Sequence, residues 1–130
     1  REQKVYFDNN ILKEIRKFNS NEQKHGVWTT YFDNNSPDKK INIKTETVYK
    51  TGELIERVEY FSTGELKQIY TIDVNYNNVI DVINYYPNGQ IQSEGKKIFT
   101  KSGKEAWYGN WVFYNRDGTI KHEKVFDQNL

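Results

Sequence analysis

From Leu66 to Tyr76 the chain alternates in character: Leu66, Tyr70, Ile72, Val74 and Tyr76 fall on one side of an extended segment, and Lys67, Thr71, Asp73 and Asn75 on the other. This period of two is the pattern of a half-buried β-strand. A second stretch sets Leu54, Glu56, Val58 and Tyr60 against Ile55, Arg57, Glu59 and Phe61, with apolar groups on both sides. Ile11, Leu12, Ile15 and Phe18 also fit one helical face, so a short helix over 11–18 competes with a strand there. Composition weighs against helix elsewhere. The chain has one Ala, four Leu and no Met, against 12 Ile, nine Val, nine Thr and 20 aromatic residues, the types that fit a pleated surface. The expected class is all-β.

A short unit recurs along the chain: an aromatic residue or Val, three residues, a Gly or Asn, then an aliphatic side chain. It reads Tyr6-Phe7-Asp8-Asn9-Asn10-Ile11, Val48-Tyr49-Lys50-Thr51-Gly52-Glu53-Leu54, Tyr60-Phe61-Ser62-Thr63-Gly64-Glu65-Leu66, Tyr85-Tyr86-Pro87-Asn88-Gly89-Gln90-Ile91 and Tyr114-Asn115-Arg116-Asp117-Gly118-Thr119-Ile120, and Tyr6 to Asn10 is repeated verbatim at Tyr31 to Asn35. Copies start at 6, 31, 48, 60, 85 and 114, at intervals of 25, 17, 12, 25 and 29 residues. Two residues suited to a type I turn followed by one with φ > 0 make a three-residue hairpin loop; Gly89 and Gly118 suit the left-handed place, and Asn10 and Asn35 are the best substitutes for Gly. Each copy is therefore expected to be a β-turn between two short strands.

Between these copies a second signature occurs twice, Gly26-Val27-Trp28-Thr29-Thr30-Tyr31 and Gly109-Asn110-Trp111-Val112-Phe113-Tyr114. Gly-x-Trp-x-x-Tyr followed by Tyr-x-x-x-Gly resembles the bacterial MORN-repeat variant of the YwqK-like antitoxin family, best over 5–35 and 85–126 and more loosely over 36–84, where the Trp is absent. The resemblance implies an elongated antiparallel meander of repeated β-hairpins in a single sheet, with no catalytic centre and an interaction role. Residues 1–130 are expected to form a single repeat domain of about five to six hairpin units.

Charge and chemistry narrow the function classes. Nineteen basic and 18 acidic residues give a formal charge of +1 and are interleaved, so no basic patch favours nucleic acid. No apolar run approaches the roughly 18 residues of a transmembrane segment. With no Cys, thiolate chemistry and Cys-ligated zinc are excluded. His25 and His122 lie far apart without the neighbouring ligands of a metal site, the carboxylates are scattered, and no Ser sits in a nucleophile elbow. Lys101-Ser102-Gly103-Lys104 lacks the remaining residues of a phosphate loop. The reading is a non-enzyme with no cofactor.

The aromatics are left as binding candidates. Trp28, Trp111 and the first Tyr of each unit are read as structural cover for the sheet. The second member of each doublet, Phe7, Phe32, Phe61 and Tyr86, points to the opposite face of its strand, and Trp107 and Tyr108 form a further patch; exposed aromatics of this kind mark an interface. The expected partner is a protein, a toxin neutralised by direct binding being one form. A cell-envelope scaffold that contacts glycan or lipid is the alternative. The chain opens at Arg1 with no Met, which suggests a trimmed N-terminal segment and leaves both a cytoplasmic and an exported location open.

Overall fold

The computed structural model describes residues 1–33, 42–73, 75–76 and 78–126. They fall into two compact units, Arg1–Glu65 and Leu66–Leu130. The first holds β1 (Glu2–Tyr6), β2 (Leu12–Lys17), β3 (Gly26–Tyr31), β4 (Ile43–Lys50) and β5 (Glu53–Tyr60). The second holds β6 (Leu66–Ile72), β7 (Val79–Tyr85), β8 (Ile91–Phe99), β9 (Glu105–Tyr114) and β10 (Ile120–Phe126). Within each unit every strand pairs antiparallel with the next one in the chain. The fold is an all-β antiparallel meander, and no helix occurs among the described residues. The competing helix over 11–18 gives way to β2, where Val5 pairs with Glu14 and Lys4 with Ile15: the ladder to β1 satisfies backbone groups that a lone two-turn helix would leave open at both ends.

Register is set by one recurring turn. In six segments, 7–11, 19–23, 61–65, 86–90, 100–104 and 115–119, the first residue donates its N–H to the carbonyl of the fifth and accepts from the N–H of the fourth, at 2.8–3.1 Å. The fourth residue is left-handed throughout: Asn10 at φ 68°, Glu22 at 60°, and Gly64, Gly89, Gly103 and Gly118 between 82° and 95°. This is the type I turn with a glycine bulge. In three of them the third residue adds a side-chain bond, the N–H of Ile11, Gln90 and Thr119 reaching the Oδ1 of Asn9, Asn88 and Asp117 at 2.9–3.1 Å. Three of the six, 19–23, 100–104 and 115–119, carry no aromatic doublet. The second includes the Lys101-Ser102-Gly103 stretch, which is a hairpin loop.

The copy at Val48 differs. Thr51 and Gly52 are both left-handed (φ 47° and 88°), and Lys50 pairs directly with Glu53, as in a two-residue type I′ hairpin. It closes β4 onto β5, at the edge opposite the turn 7–11. With this copy set aside the remaining copies start 25, 29, 25 and 29 residues apart, and the Tyr that opens each ends an odd-numbered strand. The turn expected at Asn35 and the inward place expected for Val74 lie outside the described residues.

The Gly-x-Trp signature now has a structural reason. Trp111 is fully buried and donates its indole N–H to the carbonyl of Lys96 at 2.8 Å. In the first unit Trp28 donates to the carbonyl of Lys17 at 2.8 Å. In the second unit the ladder between β8 and β9 is interrupted, since Glu94 pairs with Val112 but Lys96 pairs with Tyr108. The indole N–H therefore occupies a carbonyl at the break. Its ring lies over Gly95, where a Cβ would sit 2.3 Å from Trp111 Cδ2. Val82 and Ile80, both buried, complete this core.

The two units use the equivalent face differently. In the second, Tyr70, Val82 and Gly95 are cross-strand partners below Trp111, while Gln68, Asn84 and Ser93 form an adjoining polar row linked at 2.8 and 3.1 Å. In the first, Glu14, Thr30, Thr45 and Glu59 line up across four strands. Arg16 pairs with Glu14, the Thr30 and Thr45 hydroxyls meet at 2.5 Å, and Arg57 lies 3.5 Å from Glu59. Beside this polar row, on the same face, Trp28 meets Phe18 and Tyr49 edge-on at 5.2 and 5.4 Å.

Two substitutions test this account. Gly95→Ala is expected to destabilise by about 1–3 kcal/mol, since Trp111 is anchored by its own hydrogen bond and cannot withdraw without losing it; a thermal melt unchanged from wild type would contradict the packing. At Gly89, Ala is expected to cost about 1 kcal/mol and Asn less, and equal melting temperatures for the Ala and Asn variants would contradict the left-handed turn.

Candidate functional site

Seven large apolar side chains stand exposed among the described residues, and four of them, Trp107, Tyr108, Ile120 and Val125, belong to β9 and β10. Trp107 and Tyr108 are each 39% exposed, and as neighbours in a strand they project to opposite faces. Trp107 opposes Lys97, which opposes the buried Ile80, so it shares the face of the Trp111 core. Its ring stacks on Trp111 at 4.4 Å and 17°, and Phe126 meets it edge-on at 5.1 Å. Phe113 lies 6.0 Å away and stacks in turn on His122 at 4.6 Å and 15°. An aromatic series therefore runs from the buried Trp111 to the exposed Trp107 and His122. Lys124 lies over Phe126 at 4.9 Å. A buried first member holds the exposed ones in place, so their surface is presented without loss of side-chain freedom on contact.

The other face of β9 is more polar. Tyr108 opposes Lys96, which pairs with Asp81 at 2.5 Å. Further along, burial pushes the Tyr114 phenol above its ordinary range, and the carboxylates of Glu94 and Glu123 add to the effect. Those two residues flank Val112 across three strands.

The doublet residues occupy one place in the fold. Phe7 and Phe61 are the first residues of their turns, and Phe32 donates its N–H to Asn42 at 3.0 Å after the same kind of strand end. All three are half-buried and lie at one edge of the first unit. Neighbouring turns are tied together there: Asn9 donates to Asp33 at 3.1 Å and Asn42 to the carbonyl of Ser62 at 2.8 Å. Lys13 lies over Phe7 at 5.7 Å and Lys44 over Phe32 at 5.9 Å. Tyr86 holds the same place in the second unit, with Arg116 over its ring at 5.7 Å and its hydroxyl donating to the Tyr114 carbonyl at 2.7 Å. The structure thus brings Phe7, Phe32 and Phe61 to one edge and places Trp107 and Tyr108 on two faces of β9. Phe113, Phe126 and His122, which complete the series around Trp107, were not nominated by the sequence. The Trp107-x-x-x-Trp111-x-Phe113 spacing hints at them, but only once the interrupted ladder is known.

The first Tyr of each doublet is not uniformly covered. Tyr6 is 54% exposed, whereas the Tyr60 hydroxyl donates to Glu46 at 2.6 Å. That bond, with burial and the charges of Glu46 and Glu56, pushes the Tyr60 phenol up to about 12. His25 accepts the Thr51 N–H at 3.3 Å on an exposed turn. No group of three or more His, Asp or Glu side chains among the described residues is placed to hold a metal ion.

Comparison with known proteins gives one likeness. The family model of the MORN repeat variant matches residues 24–50 and 80–96, about a third of the chain. The matches take in the first Gly-x-Trp copy with β3 and β4, and the turn 86–90 with most of β7 and part of β8; the second Gly-x-Trp copy lies outside them. They support a MORN-repeat protein built as a repeat-based interaction module, a family generally without catalysis. No curated protein and no solved structure matches the chain.

The Tyr60 bond makes a pH prediction. The unfolded phenol titrates near 10.0 and the folded one near 12, so the neutral form is favoured in the fold; its contribution is complete below pH 10 and is lost as pH rises through 12. Urea denaturation at pH 9 and pH 11.5 should show a steeper fall in stability for wild type than for Tyr60→Phe. Parallel falls would mean that Glu46 does not hold this proton.

Proposed function

We propose that this protein is a non-catalytic interaction module that recognises a protein partner through β9 and β10 of the second unit, with Trp107 as the candidate contact on one face and Tyr108 on the other; Phe7, Phe32 and Phe61 at the turn edge of the first unit, and Tyr86 at that of the second, are separate candidate contacts. The observation that supports it is the concentration of exposed apolar side chains on β9 and β10 beside an aromatic series anchored in the core. Aromatic side chains that are rigid before contact lose little entropy on binding and dominate interface energetics. The MORN-repeat likeness supports the same class of role. A toxin occluded by direct binding, as the resemblance to YwqK-like antitoxins implies, is the narrower form of this reading, because occlusion needs a complementary surface and no chemistry.

The test is capture of partners from the native host by the immobilised chain, identified by mass spectrometry, for wild type and for the double variant Tyr108→Ser, Val125→Ser. Both side chains are exposed, at 39% and 65%, so the thermal melt should be unchanged while a captured partner binds at least about tenfold more weakly. Undiminished capture would remove the Tyr108 face of β9 and β10 from the contact and leave the Trp107 face as the candidate. Loss only in Phe32→Ser, Phe61→Ser, Tyr86→Ser would place it at the turn edge.

A further inference from the structure

The pentapeptide Tyr-Phe-Asp-Asn-Asn occurs twice, at 6–10 and 31–35, and the turn alone does not account for its spelling. The place of Asp8 is filled in the equivalent turns at 61–65, 86–90 and 115–119 by Ser62, Pro87 and Arg116, and that of Phe7 by Phe61, Tyr86 and Asn115. A turn of this type demands a left-handed residue in fourth place and tolerates many residues in second. The twofold use of Asp beside an aromatic pair therefore calls for another reason.

The structure brings the two copies together. Tyr6, Phe7, Asp8, Asn9, Lys13 and Asp33 line a groove of about 390 Å³ at the turn edge of the first unit. Asn9 donates to Asp33 Oδ1 at 3.1 Å across the two copies, which fixes both side chains. The Lys13 ammonium lies 5.7 Å from the centre of the Phe7 ring. Tyr6 is 54% exposed, its ring available beside these polar groups.

The mixture of groups selects among ligands. Asp8 and Asp33 against Lys13 leave the groove with one net negative charge, which repels a phosphate or a carboxylate; Lys13, already over Phe7, and the Asn9 bond to Asp33 weaken its pull on a cation, the competitor that the titration includes. An aliphatic ligand would leave Asp8 and Lys13 without hydrogen-bond partners. A neutral polyhydroxylated ring meets every requirement: its C–H face lies on the Tyr6 ring, its hydroxyls donate to Asp8 and Asp33, and its oxygens accept from Lys13. We propose that this groove binds a neutral, pyranose-based glycan. The site lies in the other unit from β9 and β10 and goes beyond the protein-partner reading, so either can fail alone.

The experiment follows backbone amide resonances of the ¹⁵N-labelled chain during titration with cellohexaose, chitohexaose and maltohexaose, with arginine amide as a cationic comparison. At least one oligosaccharide is expected to give saturable shifts confined to residues 6–13 and Asp33. Tyr6→Ala and Asp8→Ala should each weaken it at least about tenfold, with the rest of the spectrum unchanged. If Tyr6→Ala disturbs the fold, Asp8→Ala decides alone. The proposal is overturned if none of the three sugars gives saturable shifts, if the shifts fall elsewhere, if they survive Asp8→Ala, or if arginine amide produces them and the sugars do not.

Discussion

Everything described above depends on a pair of backbone hydrogen bonds, both made by the first residue of a five-residue segment, that close a turn in one fixed geometry. The first residue of the turn both donates and accepts, so the two strand ends leaving it are locked in register. In a meander built of short strands that lock does the work a large core does elsewhere, because a slip by one residue would exchange every inward side chain for an outward one. The left-handed fourth position supplies the local twist that lets the strands continue paired.

Given that register, the two units show what a repeated backbone can carry. The second invests its face in Trp111, Ile80 and Val82, with Gly95 left bare to admit the indole. In the first, Trp28 packs edge-on against Phe18 and Tyr49, and the row beside it, Glu14, Thr30, Thr45 and Glu59, is hydrogen-bonded or ion-paired to neighbours. Buried polar groups satisfied in this way cost little net stability. In both units the tryptophan of the Gly-x-Trp signature bonds the carbonyl of the preceding even-numbered strand, so the signature marks a backbone joint and is not in itself a binding motif.

The fold was largely legible in the sequence. Period-two alternation, scarce helix formers and the recurring Gly turns lead to an antiparallel meander without reference to coordinates, and Gly89, Gly118 and Asn10 take the left-handed positions their residue types suggest. The tract 19–23 reads as turn-forming from its Asn and Ser residues and is a turn in the structure, but its left-handed place was hidden because Glu22 holds it, a residue type that gives no such signal. The copy at Val48 misled because Thr51-Gly52 makes a two-residue turn with a similar spelling. The surface around Trp107 was only half legible: Trp107 and Tyr108 could be nominated as adjacent aromatics, but Phe113 and His122 meet through register shifts at Glu94/Lys96 and Ile120/His122, and pairings across such irregularities are invisible to a pattern of alternation. The groove beside Tyr6 was visible as a verbatim repeat, yet its meaning depended on an edge that only folding creates.

The alternating 25- and 29-residue spacing of the edge doublets has an evolutionary consequence. A chain of this kind can change its copy number only in whole strand pairs, because losing or gaining a single strand would move every later aromatic doublet to the opposite edge and exchange the neighbours it lies beside. A one-residue insertion within a strand turns the side chains beyond it to the other face, whereas the longer spacing from Tyr85 to Tyr114 lies in β8 and β9, which are longer than β2 and β3 while the turns between them keep the same five-residue form. Length variation in such arrays is thus quantised, and a lineage can multiply its recognition surfaces by duplication while each new copy inherits a correctly oriented edge on which substitutions then act one residue at a time.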